Sequence, residues 1–161
     1  MVHTHSLSLL PRNAHFVPFV ELRQSLASKV AAISPYADQL MHFILNFRRA
    51  DGSEADIEMA LHEALANAVV HGNGENFCKH VYVTCRCYMD GEVVITVRDE
   101  GRGFDNSAVP DPTIRENLIF THGRGIYLMK TLMDDVLFEE GGAVVTMRKK
   151  SNASSADRRK P

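Results

Sequence analysis

Two side chains four residues apart, Glu63 and Asn67, place a carboxylate and an amide on one side of a predicted helix. Ala60 and Val70 belong to the same side, so we predict that the pair is partly buried. Burying such groups costs free energy unless they find partners, and a bound metal with nucleotide phosphates would supply them. For Glu63 taken alone, an ordinary solvated helix face is the alternative.

A second carboxylate, Asp99, stands at the end of an apolar strand and is followed by Gly101 and Gly103. A carboxylate in this place can accept a hydrogen bond from the exocyclic amine that adenine offers and guanine lacks at the same edge. The two glycines let the backbone approach a flat ring or a phosphate closely. Taken alone, the same Asp-x-Gly-x-Gly pattern is also typical of a plain turn.

A third short motif, Gly123-Arg124-Gly125, is predicted to open a helix. Backbone N–H groups at a helix start lie at the positive end of its dipole and suit phosphate oxygens, and Arg124 adds a cation. The chain contains no G-x-x-x-x-G-K-[ST] loop, so this is a different kind of phosphate site. The three motifs, in this order and at these spacings, predict a site for ATP.

The elements that must position these motifs follow from the apolar patterns and turn residues. Ser53-Glu54-Ala55-Asp56 resembles a capping box, and Asp90-Gly91 is a strong hairpin signal. The predicted helices run from Ser34-Pro35 to about Arg49, from Ser53 to about His71, and over Gly125–Met133. The predicted strands are Phe16–Ser25, Val81–Tyr88 and Glu92–Arg98, with a closing hairpin of Val136–Glu139 and Ala143–Arg148.

The organisation along the chain predicts one ATPase domain over 16–148. Within it, the Pro-containing stretch at about 104–122 is predicted to be a long loop, and long loops in compact domains often serve as lids. Residues 1–15 are predicted to be flexible, and the polar, basic segment 149–161 is predicted to be a disordered tail.

Composition excludes several classes of protein. The chain has 161 residues and a formal net charge of -2, which gives no basic field for nucleic acid. Its first residues, MVHTHSLSLL, resemble neither a signal peptide nor a membrane span, so we expect cytoplasmic residence. Cys85 and Cys87 are predicted to face the same side of a strand, as small core residues. A metal site with His80 is the alternative, but a second ligand pair is missing.

Together, the motifs resemble the GHKL ATPase superfamily, and within it the anti-sigma-factor serine-protein kinases of bacterial partner-switching systems. The resemblance runs from about Val20 to Arg148 and includes the phrases GFDNSAVPDPTIRENL and HGRGIYLMKTLMDDV. It implies an α+β fold, a two-layer sandwich with helices on one face of a mixed, mostly antiparallel sheet.

The resemblance also implies roles for individual residues. Glu63 would be the general base, and Asn67 would hold Mg2+ beside ATP. Asp99 would recognise adenine, with Thr146 of the last strand closing the pocket. The remaining positions would contact the nucleotide through backbone or charge: Gly101, Gly103, Gly123, Arg124 and Gly125.

The function implied is ATP-dependent phosphorylation of a serine or threonine on a small antagonist protein. The antagonist would compete with a sigma factor for this protein, which would act as a homodimer. A module that binds ATP and its partner without phosphoryl transfer is the alternative. A sensor histidine kinase is rejected because His42, the best phospho-acceptor candidate, lacks the acidic and Arg-x-Pro residues of that motif.

Overall fold

The structure is a computed structural model that describes residues 19–48, 51–101 and 121–152. A five-stranded sheet of order β1-β2-β3-β5-β4 forms one layer, and each neighbouring pair of strands in it is antiparallel. The elements are β1 Val20–Ala27, α1 Ile33–Phe47, α2 Glu54–Ala66 with a π-helical extension Asn67–Gly72, β2 His80–Cys87, β3 Val93–Arg98, α3 Thr121–Leu132, β4 Asp135–Glu139 and β5 Val144–Lys149, with short 3-10 turns at Val30–Ala32 and Glu140–Gly142.

The core lies between the sheet and the helices because successive strand residues point to opposite faces. Thr84, Thr96 and Thr146 lie opposite one another on β2, β3 and β5, on the face away from the helices. Their neighbours on the helix side are apolar and buried: Val83, Cys85, Ile95, Val97, Val145 and Met147. Cys85 and Cys87 therefore face the core, as their alternation predicts.

Helix α2 is the central helix, and its apolar stripe is buried as predicted. Ile57, Leu61, Leu65 and Val69 recur at helical spacing and all belong to the core. From Asn67 onward the helix continues as a π-helix to Gly72, so the predicted end near His71 is confirmed. π-helical turns inside helices are frequent at functional sites.

The start of α2 differs from the predicted capping box. The Ser53 side chain makes no cap bond; its hydroxyl instead donates to Asp51 Oδ1 at 2.6 Å. Asp56, the expected partner in the box, pairs with Lys149 Nζ at 2.9 Å. Asp51 offers a charged acceptor two residues before Ser53. The hydroxyl of Ser53 makes this stronger hydrogen bond instead of the capping hydrogen bond to the backbone of α2.

A buried ion pair joins the ends of three segments. Arg48 Nη2 donates to Asp51 Oδ2 at 2.8 Å and to the Lys150 carbonyl at 2.9 Å. The Asn152 N–H donates to the same Asp51 oxygen at 2.8 Å. The first residues of the predicted tail, 149–152, are therefore fastened to the domain, and the rest of that segment lies outside the described residues.

This ion pair predicts a loss of stability in acid. Burial alone would raise the pKa of Asp51, but hydrogen bonds from Ser53 and Asn152 and the charge of Arg48 lower it from 3.8 to about 2. Ionised Asp51 therefore stabilises the fold above about pH 4, and this contribution is lost as the pH falls towards 2. We expect Asp51→Asn to lower the free energy of unfolding by about 2 kcal/mol at pH 6, and by much less at pH 2.

Urea titrations of parent and variant at both pH values measure this difference. A deficit of the same size at pH 6 and pH 2 would contradict it.

Among the described helices, none combines the length and the apolar character needed to cross a membrane.

Candidate active site

Glu63 and Asn67 meet α3 at Gly125. A methyl group added at Gly125 would lie 2.6 Å from Glu63 Oε2 and 3.5 Å from Asn67 Nδ2, so both side chains rest against the bare backbone of α3. Both are half-buried, as their apolar neighbours predict. The carboxylate and the amide thus lie side by side on α2, next to a residue whose lack of a side chain makes room for them.

Asp99 is enclosed between two other glycines. A methyl group at Gly72 would lie 2.6 Å from Asp99 Oδ1 and closer still to the rest of the carboxyl group. At Gly101 it would lie 2.7 Å from the same oxygen and would collide with the Gly72 carbonyl. The Gly101 N–H donates to Asp99 Oδ1 at 2.7 Å, which fixes the orientation of the carboxylate.

A small pocket, partly open to solvent, lies between α2, α3 and the sheet. Asn67 lines it on one side and Asp99 on another, so the two sequence motifs share one pocket. The remaining lining is mainly apolar, as expected for a pocket that takes a flat ring. Residues Ala64, Val97, Met129, Ala143 and Val145 contribute to it.

Burial raises the pKa of Asp99, and the hydrogen bond from Gly101 only partly offsets this. The carboxylate has therefore lost much of its hydration, and within the described residues it has no ion-pair partner. Perturbed carboxylates in a pocket are typical of functional sites. Asp99 can accept a further hydrogen bond from a ligand donor.

The phosphate motif lies inside a helix that begins earlier than predicted. Helix α3 starts at Thr121, so Gly123 and Arg124 fall in its first turn, and Arg124 is exposed. The first four N–H groups of a helix lack intrahelical acceptors, and those of Gly123 and Arg124 are among them. Gly125 follows this group, and its observed contribution is the close contact with Glu63.

Thr146 does not reach the pocket. Its hydroxyl lies 3.1 Å from that of Thr96 across the strands, on the sheet face away from the helices. The nearest residue of this segment to Asp99 is Ala143, whose carbonyl accepts the Asp99 N–H at 3.0 Å. Gly103 and most of the predicted lid lie outside the described residues.

From the sequence, a helix is predicted to end at about His71, and Gly72, the next residue, has no predicted part in the site. In the structure, the close contact with Asp99 requires a glycine at position 72. A turn does not require it, because Gly72 has an ordinary negative φ. The available signal is a glycine directly after the helix that carries Glu63 and Asn67. Its partner is 27 positions away, so no local pattern identifies the contact.

Comparison with known proteins agrees with this geometry. A family profile described as a histidine kinase-like ATPase domain matches residues 26–149. The chain belongs to this family. Among relatives of this histidine kinase-like ATPase, an anti-sigma F factor of Heyndrickxia coagulans is 32% identical over 133 residues, covering 79% of this chain and 80% of that protein.

A second relative is named serine-protein kinase RsbW, from Staphylococcus epidermidis, and is 33% identical over 113 residues, 64% of this chain and 71% of that protein. The histidine kinase-like ATPase also superimposes on a solved structure of the RsbU and RsbW domains of Rv1364c from Mycobacterium tuberculosis, with a TM-score of 0.57 and 21% identity. That match covers 83% of this chain and 32% of the other, and it shows a shared fold. The resemblance to the anti-sigma kinase family is thereby confirmed.

Proposed function

We propose that this histidine kinase-like ATPase transfers the γ-phosphoryl group of ATP to a serine or threonine of a small antagonist protein. One observation carries the proposal: Asn67 and Asp99 line one pocket, and Glu63, the neighbour of Asn67 on the same helix face, lies with it against Gly125. This arrangement supports a site in which Asp99 reads adenine and Glu63 accepts a proton. Two relatives named anti-sigma F factor and serine-protein kinase RsbW support the same reaction.

In this proposal Glu63 accepts the proton of the attacking hydroxyl, whose oxygen bonds to the γ-phosphorus as ADP leaves. Asp99 accepts a hydrogen bond from the adenine amine, and the backbone at Gly101 and Gly103 borders the ring. The N–H groups of Gly123 and Arg124, with the Arg124 cation, receive phosphate oxygens. Gly125 allows α3 to approach Glu63. Thr146 has no part, because it lies on the other face of the sheet.

Mg2+ fits the residues present, because a carboxylate and an amide offer the oxygen ligands that this hard cation prefers. Asn67 would hold it, because this residue belongs to the pocket wall. When bound, Mg2+ neutralises charge on the transferring phosphates. Glu63 remains available to accept the proton.

The partners proposed are the phosphate-accepting antagonist and a sigma factor that this protein sequesters until the antagonist displaces it. The sigma factor extends to this chain what the name anti-sigma F factor says of one relative, and the protein acceptor extends what the name serine-protein kinase says of another. We further propose that it acts as a homodimer in the cytoplasm, with an ATPase domain over 16–148 and a lid over about 104–122.

The experiment is transfer of label from γ-labelled ATP, with Mg2+, to small proteins of a native-host extract. An acid-stable labelled band that disappears when EDTA is added supports a serine/threonine kinase and identifies the antagonist. ATP binding without any labelled protein would favour the alternative, a module that only binds its partner in response to ATP.

Replacing Asp99 by Asn is expected to move stability and binding in opposite directions. Because burial raises the pKa of Asp99, its ionised form weakens the fold once the pH exceeds that pKa. Asn removes this charge and keeps an oxygen for the Gly101 N–H, so the melting temperature at pH 7 without nucleotide should rise. ATP affinity should fall by about tenfold or more, as for a lost hydrogen bond to a charged acceptor.

Thermal unfolding and calorimetric titration with ATP test the two halves separately. An unchanged affinity would remove Asp99 from adenine recognition, and a lower melting temperature would contradict the electrostatic argument.

A further inference from the structure

The turn after α2 contains a buried asparagine, Asn73, that the functions above do not use. Its side-chain Nδ2 donates to the His80 carbonyl at 2.9 Å, and its Oδ1 accepts the Glu100 N–H at 2.8 Å. Its side chain is almost fully enclosed, with 4% exposure for the residue. A buried amide that satisfies a donor and an acceptor on two different segments fixes the distance between them.

These contacts form a closed ring. Asn73 donates to His80, the His80 N–H donates to Glu100 Oε2 at 2.8 Å, and the Glu100 N–H returns to Asn73. Tyr82 adds a further hydrogen bond to the other oxygen of Glu100, at 3.0 Å. The ring ties the turn after α2 and the start of β2 to the loop that follows β3.

The ring lies directly beside the Asp99 carboxylate. Asn73 follows Gly72, which contacts that carboxylate, and Glu100 lies between Asp99 and Gly101. On its other side, the Asp99 N–H is held by the Ala143 carbonyl at 3.0 Å. Asn73 therefore anchors the backbone on one side of Asp99, and Ala143 anchors it on the other.

We propose that Asn73 is a positioning residue that sets the preference for adenine over guanine nucleotides by holding the Asp99–Gly101 loop against Gly72. This rests on the proposed function, since it takes Asp99 as the group that reads the adenine amine. A carboxylate can discriminate between an amine and a carbonyl at the same edge only while its position is fixed. Loosening the loop weakens ATP binding and reduces the penalty for GTP.

Two variants test this. Asn73→Ala removes the two hydrogen bonds that the Asn73 side chain makes to His80 and Glu100, and about a tenfold loss of ATP affinity is expected. Asn73→Asp keeps an acceptor for the Glu100 N–H but places a carboxylate oxygen against the His80 carbonyl, so it too is expected to lose ATP affinity. In both, the ratio of ATP to GTP affinity should fall, while phosphoryl transfer at saturating ATP stays close to that of the parent.

Asn76→Ala is the matched control. Asn76 is in the same turn, is exposed, and accepts the Cys78 N–H at 2.9 Å without touching the Asp99 loop. Its removal should leave the ATP-to-GTP ratio unchanged. Calorimetric titration of each full-length protein with ATP and with GTP, in Mg2+ and below its melting temperature, gives the ratio directly. If Asn73→Ala does not fold, Asn73→Asp decides the question.

The outcomes separate the two proposals. A parent protein that binds no ATP would overturn the proposed function, and the role of Asn73 with it. A parent that binds ATP, with Asn73 variants of unchanged ATP-to-GTP ratio, would overturn only the role of Asn73. An equal loss of affinity for both nucleotides would show a general structural part and would also overturn it.

Discussion

Glu63→Gln is expected to lower the rate of phosphoryl transfer by about 10²–10⁴-fold, the usual contribution of a positioned general base. The substitution replaces one carboxylate oxygen by an amide nitrogen of similar size, so the contact with Gly125 is kept. ATP affinity should therefore change little. Transfer of label to the antagonist measures the rate, and calorimetric titration measures the affinity.

Glu58→Gln is the matched control for this variant. It makes the same change on the same helix, at an exposed position outside the pocket lining, and should transfer at the parental rate. If Glu63→Gln transferred as fast as the parent, Glu63 would not be the base. If it lost ATP binding as well, its effect would lie in nucleotide binding rather than in proton transfer.

Gly72→Ala is expected to lower ATP affinity by about 10–100-fold, although residue 72 itself offers no group to the ligand. Its new methyl group would overlap the Asp99 carboxyl group, and the backbone at Gly101 leaves that group no room on the other side. Asp99 must then turn away from the position in which it meets the adenine amine. Calorimetric titration with ATP measures the loss.

Gly74→Ala serves as the control for Gly72→Ala. Gly74 lies two residues further along, and a methyl group there meets nothing within 4 Å. Its positive φ of 63° makes alanine strained, so this variant should lose some thermal stability while it keeps its ATP affinity. Equal affinity losses in the two variants would mean that the turn as a whole, rather than the contact with Asp99, controls binding.

The parts of the fold that sequence predicts well are those set by local periodicity. The buried stripe of α2, the hairpin at Asp90-Gly91 and the closing hairpin all follow from apolar spacing and turn residues within a short window. The pairing of Glu63 with Asn67 follows in the same way, because residues four apart on a helix share a side. The prediction for Asp99 likewise rests on a visible local pattern, a strand end followed by glycines.

The parts that sequence misses depend on competition or on distant contacts. Ser53 keeps the N-cap position, but its hydroxyl bonds Asp51, which offers a stronger acceptor than the cap would provide. Thr146 was expected in the pocket, but alternation along β5 places it on the same face as Thr96, and a shift of one residue exchanges the two faces. Gly72 and Asn73 make their contacts with a loop that begins more than 20 residues later, so no local pattern reveals those contacts.

The continuous helix formed by α2 and its π-helical end fixes the spacing between two parts of the proposed site. Glu63 lies beside Gly125, and Gly72 lies nine residues further along the same helix, beside Asp99. At the α-helical rise of about 1.5 Å per residue, the proposed general base Glu63 and Gly72, which contacts the proposed adenine reader, are at most roughly 13 Å apart along the axis, because a π-helical turn rises less per residue. The length of ligand that the proposed site accepts is thus set by the rise of one helix. The lengths of the surrounding turns do not change the distance between Glu63 and Gly72.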